Sequence, residues 1–321
     1  MRDEVPRLSE PVCVVCGTFG PPRIQRGVCD YVTGEYFQIL RCRRCGFGLT
    51  DPVPISMDRY YPPRYRRFNS LAAFVLHRLY LRRVGGWHGR LARVGVALEL
   101  GSGTGWMLRA LRERGWMAVG SERTVAAAVA ARDAAGAPMF VGDLTAIREE
   151  PVLDLVVMFH VLEHLADPQA ALAAVARRVK PGGTLILGIP NIASWQSRFA
   201  GPNWMHLEVP RHLCHFSPDA IERALGAAGF RMTRIDFQSF EQDPFGWVQS
   251  TLDRLGFEQS LLVKMLARMP YRRSDVLTTL VAVILAIPLG VLGMLLAVAS
   301  WRAGAGAVME VWAVREERAE G

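Results

Sequence analysis

From Val276 to Trp301 the sequence reads VLTTLVAVILAIPLGVLGMLLAVASW, twenty-six residues without one charged side chain. As a straight helix this stretch is about 39 Å long, and the core of a bilayer is about 30 Å thick. Only about twenty residues follow it. Among them AVMEVWAVRE alternates like a strand, and a strand needs a sheet that the earlier residues must supply. Pro288 and Gly290 divide the stretch near its middle, since proline interrupts the helical ladder and glycine permits a reversal. Each half would be about 18 Å of helix, too short to cross. Lys264, Arg268, Arg272 and Arg273 on one flank and Arg302 on the other place both flanks on the cytoplasmic side.

The chain has 321 residues, half of them apolar, which suits one large domain and a small one. Its net charge of +8 is concentrated: Arg59 to Leu98 holds nine arginines and no acid. Such a block predicts an anionic partner (phosphate, nucleic acid or the anionic face of a membrane) or a solvated basic helix face. The opening MRDEVPRLSEP has no apolar core of the secretory kind, so a cytoplasmic setting is expected. There, cysteines serve as metal ligands or buried thiols rather than disulfides.

Four of the six cysteines form two pairs, Cys13 and Cys16 in CVVCG and Cys42 and Cys45 in CRRCG. A two-residue spacer lets a tight knuckle aim both sulfurs at one ion, and Gly17 and Gly46 suit that turn. Two knuckles supply four sulfurs in a tetrahedron, the donor set of structural Zn2+, with no position left for water. YVTGEYFQIL between them reads as a hairpin, so a zinc ribbon is expected. A redox dithiol would need only one pair. Cys29 and Cys214 read as ordinary thiols.

Residues 94–123 then read VGVALELGSGTGWMLRALRERGWMAVGSER: an apolar strand from Val94 to Leu100, a glycine-rich turn, a helix over about 105–114, and a second strand ending at Glu122. A dinucleotide fingerprint would place glycines at 101, 103 and 106, but 106 is tryptophan; here they are Gly101, Gly103 and Gly105. Glu99 at the mouth of the first strand would repel a pyrophosphate and suits a ligand with an ammonium or sulfonium charge. Glu122 is placed to accept hydrogen bonds from ribose hydroxyls, and Asp143 in FVGDL stands where an adenine amino group would lie. Downstream, Asp167 with Pro168 predicts a helix start, KPGG its end, and TLILGI another strand. Alternating strands and helices make the fold an α/β doubly wound sheet.

These residues resemble the class I S-adenosylmethionine-dependent methyltransferases. ELGSGTG matches their first motif, and Glu122 and Asp143 match the acids that hold ribose and adenine in that family. LDLVVMFHVLEHLADPQAALAAVARRVKPGGTLILGIPN and PRHLCHFSPDAIERALGAAGF are similar to its later elements. The paired cysteines with GLTDPVP and YYPPRY are similar to a bacterial subset that carries a zinc ribbon. The resemblance implies a Rossmann-like methyltransferase sheet with an N-terminal zinc ribbon (1–52), a basic linker and helix (53–94), a catalytic core (95–240) and a last core strand with its tail (305–321); the stretch it leaves unmatched, 241–304, is expected from its apolar residues as an amphipathic or hydrophobic membrane insertion. The resemblance further implies that FRMTRIDFQ and AVMEVWAVRE pair antiparallel, so both lie on one side of any membrane. The apolar stretch is therefore expected as a re-entrant or in-plane hairpin docking the catalytic domain on the inner face, rather than a span or a buried helix pair.

For chemistry, His160, Glu163 and His164 spell H-x-x-E-H, the order of an inverted zinc-protease motif. His160 instead directly follows a predicted strand, at the edge where ligands bind, which suits a general base taking a proton from an oxygen or nitrogen nucleophile. His164, His212 and His215 stand behind it as candidates. Phe159 and Trp106 are expected to pack near the cofactor, while His77 and His88 carry no signal. The expected activity is methyl transfer from S-adenosyl-L-methionine, at the cytoplasmic membrane face, to a lipid-linked or amphipathic small molecule such as a cell-envelope glycan intermediate; nothing indicates an oligomeric state. A zinc-ribbon RNA methyltransferase is the alternative. The basic block lacks interleaved aromatics for it, and RNA has no use for the apolar stretch. A binding protein without activity would have no need of the cofactor acids.

Overall fold

The computed structural model describes residues 12–18, 20–61, 70–87, 89–91, 94–267, 269–271 and 276–317. His88, Arg268, Arg272, Arg273, the first eleven residues and most of YYPPRY lie outside them. The strands are β1 (Arg23–Cys29), β2 (Tyr36–Arg41), β3 (Gly48–Asp51), β4 (Val96–Leu100), β5 (Met117–Glu122), β6 (Met139–Val141), β7 (Leu153–Phe159), β8 (Val179–Pro190), β9 (Cys214–His215), β10 (Phe230–Asp236) and β11 (Val308–Arg315). The helices are α1 (Ser70–Trp87), α2 (Trp106–Glu113), α3 (Val125–Ala135), α4 (Pro168–Ala176), α5 (Trp195–Ala200), α6 (Pro218–Ala227), α7 (Asp243–Arg254), α8 (Leu261–Leu266) and α9 (Val276–Arg302).

Seven strands form the central sheet in the order β10-β11-β8-β7-β4-β5-β6. β11 runs antiparallel to both its neighbours, with Val311 opposite Ile235 and Leu187, and the pairs from β8 to β6 are parallel. The two predicted final strands thus pair as expected. Because successive residues point to opposite faces, Leu98, Leu100, Val156, Met158, Leu185, Leu187 and Val311 enter one core layer with α4 and α6. Ala97, Leu155, Val157, Ile186 and Trp312 enter the other with α1 and α2. The helix predicted at Asp167 begins there: the Asp167 side chain accepts from Ala170 N at 2.9 Å and Pro168 takes the first turn. KPGG does not end it. The helix stops at Ala176, and those residues lie within β8, where pairing with β7 shifts register between Leu153 and Leu155.

The cysteine knuckles fold alike. Cys13 N–H donates to Thr18 O and Cys42 N–H to Phe47 O, while Gly17 and Gly46 turn at φ +65° and +74°. Strand β9 pairs antiparallel with β3, making a four-stranded ribbon sheet β1-β2-β3-β9 whose last strand comes from beyond residue 210. Val15, Cys45 and Phe47 belong to the same core layer as α4 and α6, and Phe47 stacks on Phe216 at 5.2 Å.

The apolar stretch departs from expectation. It is one continuous 27-residue helix, with Pro288 inside it and no hairpin. Pro288 lies on the exposed side, where the loss of one i→i−4 bond leaves the helix face toward α7 undisturbed. That inner face carries mostly small residues at three- and four-residue steps: Ala282, Ala286, Leu289, Gly293, Ala297 and Ser300. A methyl group added at Gly293 would come within 2.9 Å of Pro244 O, so α7 approaches as closely as a glycine permits. Ala282 is buried with Val248, Leu252 and Leu261, so α7 and α8 flank α9 nearly to its start. The outer face exposes Leu277, Leu280, Ile284, Ile287, Val291 and Leu295. Lys264, expected as a flanking free cation, is buried and ion-paired with Glu258 at 2.7 Å.

The arginine block is likewise neutralised in part by acids from elsewhere. Arg59 pairs with Glu35 at 2.9 Å and Arg90 with Asp236 at 3.4 Å. Arg83 is enclosed between Glu241 and Glu310; burial alone would lower its pKa, but the two carboxylates raise it above its ordinary value. Glu310 also accepts from the indole N–H groups of Trp87 and Trp312, each at 2.9 Å. Removing the charge from one partner of a buried pair leaves the other uncompensated, so Glu310→Gln is expected to cost about 3 kcal/mol of stability. Urea unfolding should show a lower midpoint with an unchanged slope.

Candidate active site

The turn after β4 positions the first cluster. Gly101, Gly103 and Gly105 all have positive φ, at +67°, +53° and +75°, a region that carries a steric cost for residues with a Cβ. At Gly101 a Cβ would strike Val161 at 2.6 Å and at Gly105 the Ala131 carbonyl at 2.6 Å, while Gly103 faces open space. The turn therefore packs inward at two glycines and presents bare backbone at the third. Gly105 leads into α2 as its N-cap.

Three of the predicted acids stand at the carboxyl edge of adjacent strands. Glu99, one residue from the end of β4, is 3% exposed, and its Oε2 has no partner. Burial raises its pKa well above the carboxylate range, and the nearby Glu122 charge adds to the shift. Glu122 ends β5; its Oε1 accepts the Gly103 N–H at 2.5 Å and its Oε2 the Arg123 N–H at 3.3 Å. Asp143 lies two residues past β6, not within it. It is exposed and opens a short 3-10 turn by accepting from Thr145 N and Oγ1, bonds that lower its pKa. A buried carboxylate with one unpartnered oxygen, an open glycine face and a second acid at the next strand end fit S-adenosylmethionine, a ligand with a positive centre and a ribose.

Phe159 ends β7, with Arg83 5.2 Å above its ring. Tyr80 bridges Trp106, at 6.4 Å, and Phe159, at 6.3 Å, so the two expected aromatics share one neighbour beside the cradle. Next comes His160, at φ +54°, a conformation that costs on the order of 1–3 kcal/mol outside glycine and collects at functional sites. Its Nδ1 meets Glu163 Oε1 at 3.1 Å and its Nε2 meets the Gln242 side-chain amide at 2.6 Å. Glu163 is 1% exposed with Oε2 unpartnered.

His164 and His212 sit edge to face at 4.7 Å. His164 Nδ1 bonds Arg211 O at 2.8 Å and His212 Nδ1 bonds His206 O at 2.9 Å. Ring nitrogens of both and a Glu163 carboxylate oxygen lie within 4.8 Å of one another. Within the H-x-x-E-H run only Leu162–His164 form a 3-10 turn and His160 precedes it, so the two histidines do not share a helix and the protease arrangement is lacking. His215 is fully buried, its Nε2 is 2.9 Å from Thr50 Oγ1, and burial pushes its pKa down to about 3. It braces the ribbon sheet and is removed from the candidate bases. His77 lies within α1 and joins none of these contacts.

The ribbon holds this histidine segment. Asp30 and Arg211, both 0% exposed, pair at 2.8 Å, and Thr50 Oγ1 donates to His212 O at 2.6 Å. Neither contact had a signal in the sequence, and neither did Gln242, which lies 82 residues from His160. The four ribbon sulfurs converge, with Cys13 and Cys45 at 3.6 Å and Cys16 and Cys42 at 3.6 Å.

A family model described as a methyltransferase domain matches residues 64–235, more than half of the chain. A ubiquinone biosynthesis O-methyltransferase from Cereibacter sphaeroides is 30% identical over 118 residues, which are 35% of this chain and 46% of that protein. The chain thus spans less than half the length of this curated relative. An S-adenosylmethionine-dependent methyltransferase structure from Thermotoga maritima is 18% identical, covering 77% of this chain and 92% of that one, with a TM-score of 0.46. A geranyl diphosphate C-methyltransferase structure from Streptomyces coelicolor is 16% identical, covering 76% and 82%, with a TM-score of 0.46. At such scores the structural likenesses add no weight. The family model does, because its span takes in the glycine cradle, all three acids and the His160 turn: the chain belongs to the class I S-adenosylmethionine-dependent methyltransferases.

Proposed function

We propose that this chain transfers the methyl group of S-adenosylmethionine to a nucleophilic atom of a lipid-linked or amphipathic small molecule at the cytoplasmic face of a membrane. The observation that carries the membrane half is α9: 27 residues with no charge before Arg302, backed by protein along one side and apolar on the other. An exposed patch of this kind on a soluble protein marks an interaction surface. Phe240, 56% exposed and stacked on Trp301 at 4.7 Å, extends the patch toward the catalytic turn. Protein flanks α9 from Ala282 to Ser300, about 27 Å of its length, which leaves no separate crossing segment and favours a helix lying in the membrane plane. A lipid-borne acceptor would then reach the site from the same side. The RNA alternative loses its footing where Arg59, Arg83 and Arg90 are already paired.

When bound, S-adenosylmethionine supplies an electrophilic methyl group on a cationic sulfur. Glu99 is assigned to offset that charge, Glu122 to accept from the ribose hydroxyls and Asp143 to accept from the adenine amino group. Gly101, Gly103 and Gly105 let the ligand lie against the backbone, and Phe159 walls the cradle. His160 is assigned the acceptor's proton: with Nδ1–H held by Glu163, the lone pair sits on Nε2. His164 and His212 line the acceptor side. An oxygen nucleophile is in keeping with the O-methyltransferase relative. The ribbon is assigned one structural Zn2+ on Cys13, Cys16, Cys42 and Cys45; four thiolates at about 2.3 Å from zinc stand about 3.8 Å apart, close to the sulfur separations here.

Radiolabelled cofactor should mark extracted membrane lipid and not total RNA, and His160→Ala should lower that incorporation by about 10²- to 10⁴-fold. Label in RNA alone would defeat the proposal.

Glu99 adds a pH signature. A carboxyl whose folded pKa is raised stabilises the fold relative to the ionised state at low pH, and that contribution is lost as pH rises from the unfolded pKa through the folded one. A cationic ligand beside it favours ionisation, so cofactor binding should release a proton and tighten as pH rises. Calorimetry in buffers of different ionisation enthalpy should detect that release in the native chain and not in Glu99→Gln. Equal proton counts in the two proteins would reject the assignment.

Metal analysis should find one zinc per chain, and Cys42→Ser should lose it along with the ribbon's fold. Full zinc content in that variant would refute the four-cysteine site.

A further inference from the structure

Gln242 occupies the position that a proton-donating acceptor would need. Its side-chain amide lies 2.6 Å from His160 Nε2, the nitrogen left with a lone pair once Nδ1–H faces Glu163. An amide oxygen there would repel the lone pair, so the NH2 group donates. Gln242 is the N-cap residue of α7, yet its side chain makes no capping bond and turns to the histidine instead. A base whose lone pair is already taken accepts no further proton, so this amide must leave whenever His160 works.

What holds Gln242 comes from α9 and α1. On one side Phe240 stacks edge to face on Trp301 at 4.7 Å. On the other, Asp243 Oδ2 accepts the Trp301 indole N–H at 2.6 Å and the Ala307 N–H at 3.1 Å. Glu241, between Phe240 and Gln242, is ion-paired with Arg83. The last turn of the apolar helix thus clamps the residues flanking Gln242, and the close packing of Gly293 on Pro244 carries any shift of that helix into the same turn. Phe240 is also the exposed aromatic at the edge of the α9 patch. Burial of the rest of its ring in lipid is favourable, and because Phe240 stands two residues before Gln242, lipid contact there acts on the turn that carries the amide.

We propose that Gln242 is a positioning residue that plugs the base and is withdrawn when α9 and Phe240 bed into a lipid surface. The membrane is then the trigger as well as the docking site, and the base stays idle in solution. This rests on His160 as the base and on α9 as the lipid-facing element.

The test is the rate at which diethyl pyrocarbonate acylates His160, followed by mass spectrometry on the full chain, with buried His215 as the reference for an intact fold. In buffer, Gln242→Ala should speed His160 modification about 2- to 10-fold, the equivalent of one neutral hydrogen bond. Vesicles of phosphatidylethanolamine and phosphatidylglycerol should bring the native chain to the same rate and leave the variant's rate unchanged. An unchanged rate in Gln242→Ala, with His215 still protected, overturns the plug. Protein that co-sediments with vesicles without faster His160 modification overturns the lipid trigger. Failure to co-sediment defeats the membrane reading itself and the trigger with it, while the solution comparison still decides the plug. A faster rate in Gln242→Ala together with full methyl transfer by His160→Ala would remove the base and, with it, the proposal.

Discussion

Strand β11 lies between β10 and β8 and bonds to both, and the whole insertion is constrained by having to leave the sheet edge after β10 and return to it. The two strands pair from Phe230 opposite Arg315 to Asp236 opposite Glu310, with one register shift between Met232 and Arg234, so the excursion starts and ends at nearly the same place. Glu310 sits at that junction. Its carboxylate gathers Arg83, Trp87 and Trp312, and Arg83 reaches on to Glu241 at the start of the excursion. One buried network thereby joins the sheet, the helix that covers it and the first residues of the insertion. Taking two acids and an arginine out of water is costly unless each is paired, so separating any of these elements would leave a buried charge uncompensated.

The same closure explains the disposition of the apolar helix. With both ends tied to one sheet edge and its inner face filled by mostly small residues against α7, α9 is one continuous helix packed on the domain and not a hairpin. It is a rigid rod laid along the domain with a greasy outer face. Its last turn reaches Asp243 and Phe240, which brings the exposed apolar face to within a few residues of Gln242, the partner of His160.

A second constraint acts from the opposite side. The segment around His212 has little regular structure of its own beyond the two residues of β9, and is held by the ribbon: Asp30 on Arg211, Thr50 on the His212 carbonyl, and Ser217 donating to Cys45 O while capping α6. The knuckles therefore do more than fold a small module. They help hold the segment that carries His212, whose ring meets His164 edge to face.

Features that depend on backbone conformation over a few residues were legible in the chain alone. Positive-φ glycines at 101, 103 and 105, the Cys-x2-Cys knuckles, the Asp167–Pro168 helix start and the alternation of β10 and β11 are local requirements, and local spacing displays them. The acids at 99 and 122 were legible because strand ends in a parallel sheet face one edge. The remaining features were settled by long-range packing. Pro288 is tolerated within a helix because its ring lies on the side away from α7, a fact of packing and not of composition. Arg59, Arg83 and Arg90 read as unpaired charges only until Glu35, Glu241, Glu310 and Asp236 fold onto them. His160, His212 and His215 look alike in the chain, yet burial against Thr50 makes His215 a brace, while Glu163 and Gln242 give His160 both of its hydrogen bonds. Such assignments depend on which distant residues meet, and pairwise contact across 82 or more residues leaves no trace in a one-dimensional pattern.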